Sequence, residues 1–197
     1  MESDGRVIAE YSLEGEPGSP DYMKLLRVID YKGNDVTKTS GTYWPGGYGS
    51  AILEDADGTR YELKHYDALY LPCGTRQVLL SSADAKQPAK LYMNSTPAHH
   101  AFPARLIGYD DAKHVHMGSL AESNERTINQ YIHPAVLDTC QLSMGLTHLE
   151  EGSVWNTMPA HTHERRMEVY FYFDIEPDQA VFHFMGEPQE TRHIIVH

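Results

Sequence analysis

The chain has 197 residues, with 16 Lys+Arg against 28 Asp+Glu, a formal net charge of −12. With 41% hydrophobic and 10% aromatic residues it can bury a core, which argues against a disordered chain and sets an expectation of one ample domain or two compact ones. So acidic a chain, without a Lys/Arg cluster, repels nucleic-acid phosphates and anionic lipid, so neither is expected as a partner.

The opening Met1-Glu2-Ser3-Asp4-Gly5 lacks the basic-then-apolar pattern of a signal peptide, and no apolar run approaches the ~20 residues of a membrane helix. A soluble, cytoplasmic protein is expected. Strand texture begins at Leu25 to Ile29 and Ser50 to Glu54, and Asp57-Gly58 is a hairpin signal before Arg60 to Leu63. Asp67 to Leu71 leads into the turn Pro72-Cys73-Gly74, followed by strands at Gln77 to Ser81 and Lys90 to Asn94. Residues 1–97 therefore read as one β-domain. From Ser95 to about Arg126 the periodicity fades, and residues 98–133 read as a connector with room for a short helix. Residues 134–197 read as a second β-domain. Its strands are expected at Cys140 to Leu149, Ser153 to Thr157, Glu168 to Phe173, Ala180 to Met185 and from Arg192 onward. Both halves are expected to be antiparallel and nearly free of helix.

Only Cys73 and Cys140 occur, too few and too far apart for a disulfide framework or a thiolate zinc site, and both are expected to be inert packing residues. Histidine is the unusual count, at 12. His161 and His163, two apart, can point from one strand face to one centre. Glu168 has the wrong parity for that unbroken strand, so the chain must turn within Glu164 to Met167 for Glu168 to return. Two imidazole nitrogens and one carboxylate oxygen suit Zn, Fe, Mn, Ni or Co and leave positions open for water or substrate. Beyond the turn, Glu168, Tyr170 and Tyr172 share one face as a polar pocket wall, and Val169, Phe171 and Phe173 share a dry one. Arg165 and Arg166 can hold an anionic group bidentately or form a solvated turn. His114-Val115-His116 repeats the spacing without a carboxylate five residues on. That pair and His99-His100 are expected to lie outside any metal site.

Gly152 with His161-x-His163-x-x-x-x-Glu168 resembles the first cupin motif. The run from Thr139 to Val169, TCQLSMGLTHLEEGSVWNTMPAHTHERRMEV, is similar to the core of the 4-deoxy-L-threo-5-hexosulose-uronate ketol-isomerases, also called 5-keto-4-deoxyuronate isomerases. Gly186 to His193, Arg126 to Tyr131, Asp67 to Leu71 and Pro88 to Asn94 fit the same family in order. The resemblance is specific over roughly Arg60 to His197 and faint before it.

It implies tandem cupin-type antiparallel β-barrels, one zinc ion per subunit held by His161, His163 and Glu168, and a homohexamer. The implied reaction converts 5-dehydro-4-deoxy-D-glucuronate to 3-deoxy-D-glycero-2,5-hexodiulosonate in pectin and uronate breakdown, through an enediolate. Arg165, Arg166, Arg192 and His193 are expected to bind the substrate. The proton-transferring base stays open among Glu164, Glu190, His183 and His193. The family's fourth ligand, a His on a later strand, has no counterpart before His197, so the second barrel is expected to be incomplete at its C-terminus. The chain is then a truncated or split copy, or a partner chain, His197 or another histidine completes the site. Two further readings remain. A non-haem iron dioxygenase also uses two His and a carboxylate, and a non-catalytic sugar-binding or oligomerising module needs no fourth ligand.

Overall fold

The computed structural model describes residues 8–12, 24–29, 51–55, 57–84, 89–154, 168–186, 189 and 192–196. The chain divides into two compact units, Met1–Asn156 and Thr157–His197. The described elements are β-strands and two short 3-10 turns, and every strand pairing is antiparallel. The protein is all-β, as its period-two patterning requires.

In the first unit, β1 (Ile8–Ser12), β2 (Lys24–Ile29), β3 (Ala51–Asp55), β4 (Arg60–Leu63) and β6 (Gln77–Ser82) form one sheet in the order β2-β1-β6-β3-β4. The β3–β4 hairpin is closed by Asp55, whose Oδ1 accepts the backbone N–H groups of Asp57 (3.0 Å) and Thr59 (2.9 Å). Gly58 there adopts φ +80°, a conformation that costs glycine little. Leu53, Leu63 and Val78 make this sheet's buried cluster.

β5 (Ala68–Tyr70) pairs with β7 (Arg105–Ile107). β8 (Lys113–Met117), β9 (Arg126–Ile132) and β10 (Met144–Leu149) form a third sheet with β9 central. A second core of Ala68, Tyr70, Ile107, Ala112, Tyr131 and Ile132 joins residues of these two sheets. Asp67 anchors the β4–β5 turn: its Oδ2 accepts from the Lys64 N–H (2.8 Å) and its Oδ1 from the Tyr109 N–H (3.0 Å).

Four local expectations need correction. Lys90 to Asn94 forms no strand, because Leu91, Tyr92 and Met93 are all exposed and the segment has no face to bury. The expected Cys140–Leu149 strand begins only at Met144, since Thr139 Oγ1 donates to the Leu142 carbonyl (2.7 Å) and holds the preceding residues in a turn. The stretch read as irregular, 98–133, carries β7, β8 and β9, with helix limited to 3-10 turns at Tyr109–Asp111 and Leu120–Glu122. Cys73 is exposed, not packed, and Cys140 is half-buried with its thiol against the His100 carbonyl (3.3 Å); neither is in a disulfide.

In the second unit, β11 (Val181–Met185) and β12 (Arg192–Val196) make a two-stranded antiparallel sheet. The register pairs His183 with Ile194, Phe184 with His193 and Met185 with Arg192. Ser153 to Thr157 falls partly outside the described residues, and Ser153 and Val154 lie in no strand.

Candidate active site

Glu168 to Phe173, expected as a strand, lies in none of the strands among the described residues, yet it keeps the side-chain alternation of an extended chain. The rings of Tyr170 and Tyr172 stack with centroids 6.3 Å apart, and those of Phe171 and Phe173 with centroids 5.7 Å apart. Polar and apolar rings thus separate by parity, one set carrying hydroxyls and the other none.

The hydroxyl-bearing side gathers a chain of partners. Tyr170 Oη donates to Glu168 Oε2 at 2.8 Å, and the Tyr172 hydroxyl meets His183 Nδ1 at 2.6 Å. The His183 ring lies edge-on to Tyr170, with centroids 5.2 Å apart. Glu168, Tyr170, Tyr172 and His183 therefore form one continuous polar assembly within the second unit. Burial, then the hydrogen bond to Glu168 and its charge, with Tyr172 adding, push the Tyr170 phenol up to about 12. Burial also raises the Tyr172 phenol. Both hydroxyls hold their protons at neutral pH and can act as donors.

Sheet parity places the rest. Arg192 lies on the β11–β12 face that carries His183, because their pairs are Met185↔Arg192 and His183↔Ile194. His193 lies on the opposite face with Phe184, their rings 6.0 Å apart. That second face is apolar and open to solvent, with Phe182 59% and Phe184 67% exposed. Of the expected site residues, Glu168, Arg192 and His193 are described, together with the base candidate His183. His161, His163, Glu164, Arg165, Arg166, Glu190 and His197 lie outside the described residues. Among the described residues no three His, Cys, Asp or Glu side chains are grouped to hold a metal. The donor set itself, two imidazoles and a carboxylate, has the composition of an open zinc site. Glu168 carries the kind of hydrogen bond, here from Tyr170, that orients a metal-bound carboxylate.

In the first unit, the His114-Val115-His116 pair is on β8, not in an irregular connector, and its imidazoles are engaged by neighbouring protein groups. His114 Nδ1 meets Asn129 Oδ1 (2.5 Å), and His116 Nε2 meets Glu125 Oε1 (2.9 Å). Residue spacing signalled neither the Tyr172–His183 contact nor these two, since each joins elements whose pairing emerges only from the fold.

Residues 54–196 match the KduI/IolB family. The 4-deoxy-L-threo-5-hexosulose-uronate ketol-isomerase of Dickeya dadantii (strain 3937) is 56% identical over 149 residues, covering 76% of this chain and 54% of that protein. The protein of the same name from Paraburkholderia phytofirmans (strain DSM 17436 / LMG 22146 / PsJN) is 57% identical over 143 residues, 73% of this chain and 51% of the relative. That from Escherichia coli O139:H28 (strain E24377A / ETEC) is 53% identical over 152 residues, 77% and 54% of the two chains. The chain thus spans about half the length of the curated relatives it matches.

Proposed function

The chain belongs to the KduI/IolB family, and we propose that it acts as a zinc-dependent ketol-isomerase. The proposed reaction converts 5-dehydro-4-deoxy-D-glucuronate to 3-deoxy-D-glycero-2,5-hexodiulosonate in uronate breakdown. The observation that carries this reading is the family match over residues 54–196, which includes His161, His163, Glu168 and Arg192, together with at least 53% identity to named ketol-isomerases.

In this reading His161, His163 and Glu168 hold one zinc ion, and each half of the chain belongs to a cupin-type barrel. Bound zinc supplies Lewis acidity toward the oxyanion that develops as a proton moves between adjacent carbons. The chain's own residues do the remaining work. Tyr170 orients the Glu168 carboxylate. Arg192, on the His183 face, joins Arg165 and Arg166 as the cations that offset the substrate carboxylate in an otherwise acidic protein. A cytoplasmic homohexamer completes the proposal. The exposed Phe182 and Phe184 support assembly, being apolar surface that a neighbouring copy would cover. Among the described residues no helix is long and apolar enough to cross a membrane.

The test is direct. The purified protein is analysed for metal and incubated with the deoxyuronate while the product is followed by NMR. Zinc at one ion per chain with formation of the hexodiulosonate supports the reading. Zinc-loaded protein that leaves the deoxyuronate unchanged refutes it.

A further inference from the structure

Resting on the ketol-isomerase reading, the geometry points to His183 as the residue that carries the hydroxyl proton between the two reacting oxygens, with Tyr172 as the positioning residue that fixes its tautomer. Aldose–ketose isomerisation moves two hydrogens, one between carbons and one between oxygens, and separate groups can perform the two tasks.

The argument begins at the 2.6 Å contact between the Tyr172 hydroxyl and His183 Nδ1. We take the Tyr172 hydroxyl as the donor in this contact and Nδ1 as the acceptor. A neutral imidazole has one donor and one acceptor nitrogen. With Nδ1 accepting, the proton of His183 resides on Nε2, the nitrogen away from Tyr172. The ring is held in place by the edge contact with Tyr170, at 5.2 Å, and by its position in the middle of β11 opposite Ile194. Tyr170 also touches Glu168, which places the Nε2–H donor in the same polar assembly as a proposed metal ligand. Arg192 shares that face of the sheet, where a substrate carboxylate would meet its guanidinium.

The step balances as follows. A base removes the carbon-bound hydrogen next to the aldehyde, and the electron pair passes into the carbonyl to give the enediolate. The His183 Nε2 proton passes to the former aldehyde oxygen, and Nε2 then takes the proton of the neighbouring hydroxyl. That second oxygen becomes the new carbonyl as the carbon-bound hydrogen is returned to the former aldehyde carbon. His183 ends as it began, and no redox partner is consumed. A neutral imidazole with its proton directed at the substrate suits this task, since its proton is mobile between oxygens of similar basicity.

Two readouts test it. The first is the ¹⁵N NMR spectrum of imidazole-labelled protein without metal, expected to show His183 with Nδ1 unprotonated and Nε2 protonated, and a mixture of tautomers in Tyr172→Phe. The second is turnover of the deoxyuronate by the zinc-loaded protein. Tyr172→Phe is expected to lower kcat about 10-fold with KM and zinc content little changed, and His183→Ala about 100-fold. His183→Gln, which retains an N–H donor near the Nε2 position, is expected to recover much of the loss. Protonated Nδ1 in the unsubstituted protein, or full kcat in Tyr172→Phe, overturns the tautomer assignment. Equal losses in His183→Gln and His183→Ala overturn the proton-carrying role. Failure of the unsubstituted, zinc-loaded protein to convert the deoxyuronate overturns the functional reading and the catalytic role with it, a result distinct from either variant outcome.

Discussion

His114 Nδ1 lies 2.5 Å from Asn129 Oδ1, across the β8–β9 ladder where the two residues are register partners. Asn129 is 0% exposed, and its Nδ2 also donates to the Leu146 carbonyl on β10 (3.1 Å), so one side chain ties all three strands of its sheet. Replacing Asn129 by Leu keeps the approximate volume but removes the side-chain partner of the Leu146 backbone carbonyl and of the His114 ring nitrogen. We expect a loss of about 1–3 kcal/mol of stability, read from urea unfolding. A variant as stable as the parent would show that these bonds contribute nothing net.

Tyr131 is 3% exposed, and its hydroxyl meets no hydrogen-bond partner among the described residues. Burial first, then Tyr109, Asp67 and Tyr66, push its phenol well above the ordinary value of 10.0. Tyr131→Phe should therefore be neutral or stabilising by about 1 kcal/mol at pH 7, as the orphaned hydroxyl is removed. The alkaline limb gives the sign independently. The unfolded phenol ionises near 10 while the folded one does not, so its contribution to stability is complete below pH 10 and is lost as pH rises beyond it. The Phe variant should lose less stability above pH 10 than the parent. A steeper alkaline loss in the variant would contradict this.

Gly118 adopts φ +77°, and a Cβ there would overlap the backbone and side-chain oxygens of Asn124. Asn124 Oδ1 already accepts the Ser119 N–H (3.0 Å), so it cannot withdraw without breaking that turn. Gly118→Ala should cost at least the ~1–2 kcal/mol of a left-handed alanine, with the overlap adding to it. A thermal melt shows the outcome, and an unshifted Tm would mean the turn yields easily.

Glu168→Gln preserves shape but removes an anionic donor. Zinc content and turnover of the deoxyuronate should both fall, each by at least about 10-fold. Glu122→Gln, in the exposed 3-10 turn Leu120–Glu122, should leave both intact. Full zinc occupancy and unchanged turnover in the Glu168 variant would remove that residue from the proposed ligand set.

Legibility in the sequence followed burial. Arg60 to Leu63 coincides with β4, and β6 was foreseen to within one residue, because a turn signal precedes the first and apolar residues mark the second. β8 and β9 escaped because His114, His116, Thr127 and Asn129, all on one face, are polar residues satisfied by one another and by β10. A buried amide disguises a strand as a loop when apolar alternation is the signal sought. At the candidate site, the separation of Tyr170 and Tyr172 from Phe171 and Phe173 followed from parity alone. The Tyr172–His183 contact did not, since it spans 11 residues and depends on how β11 meets the preceding segment.

Arg192 and His193 are neighbours in the chain on opposite faces of the β11–β12 pair. Inserting or deleting one residue between Met185 and Arg192 would therefore tend to exchange two chemistries, sending Ile195 toward His183 and the guanidinium toward Phe184. Length changes by two residues preserve parity and should be tolerated far better. The connection behaves as a parity lock, so drift in its length during evolution is expected to proceed in even steps.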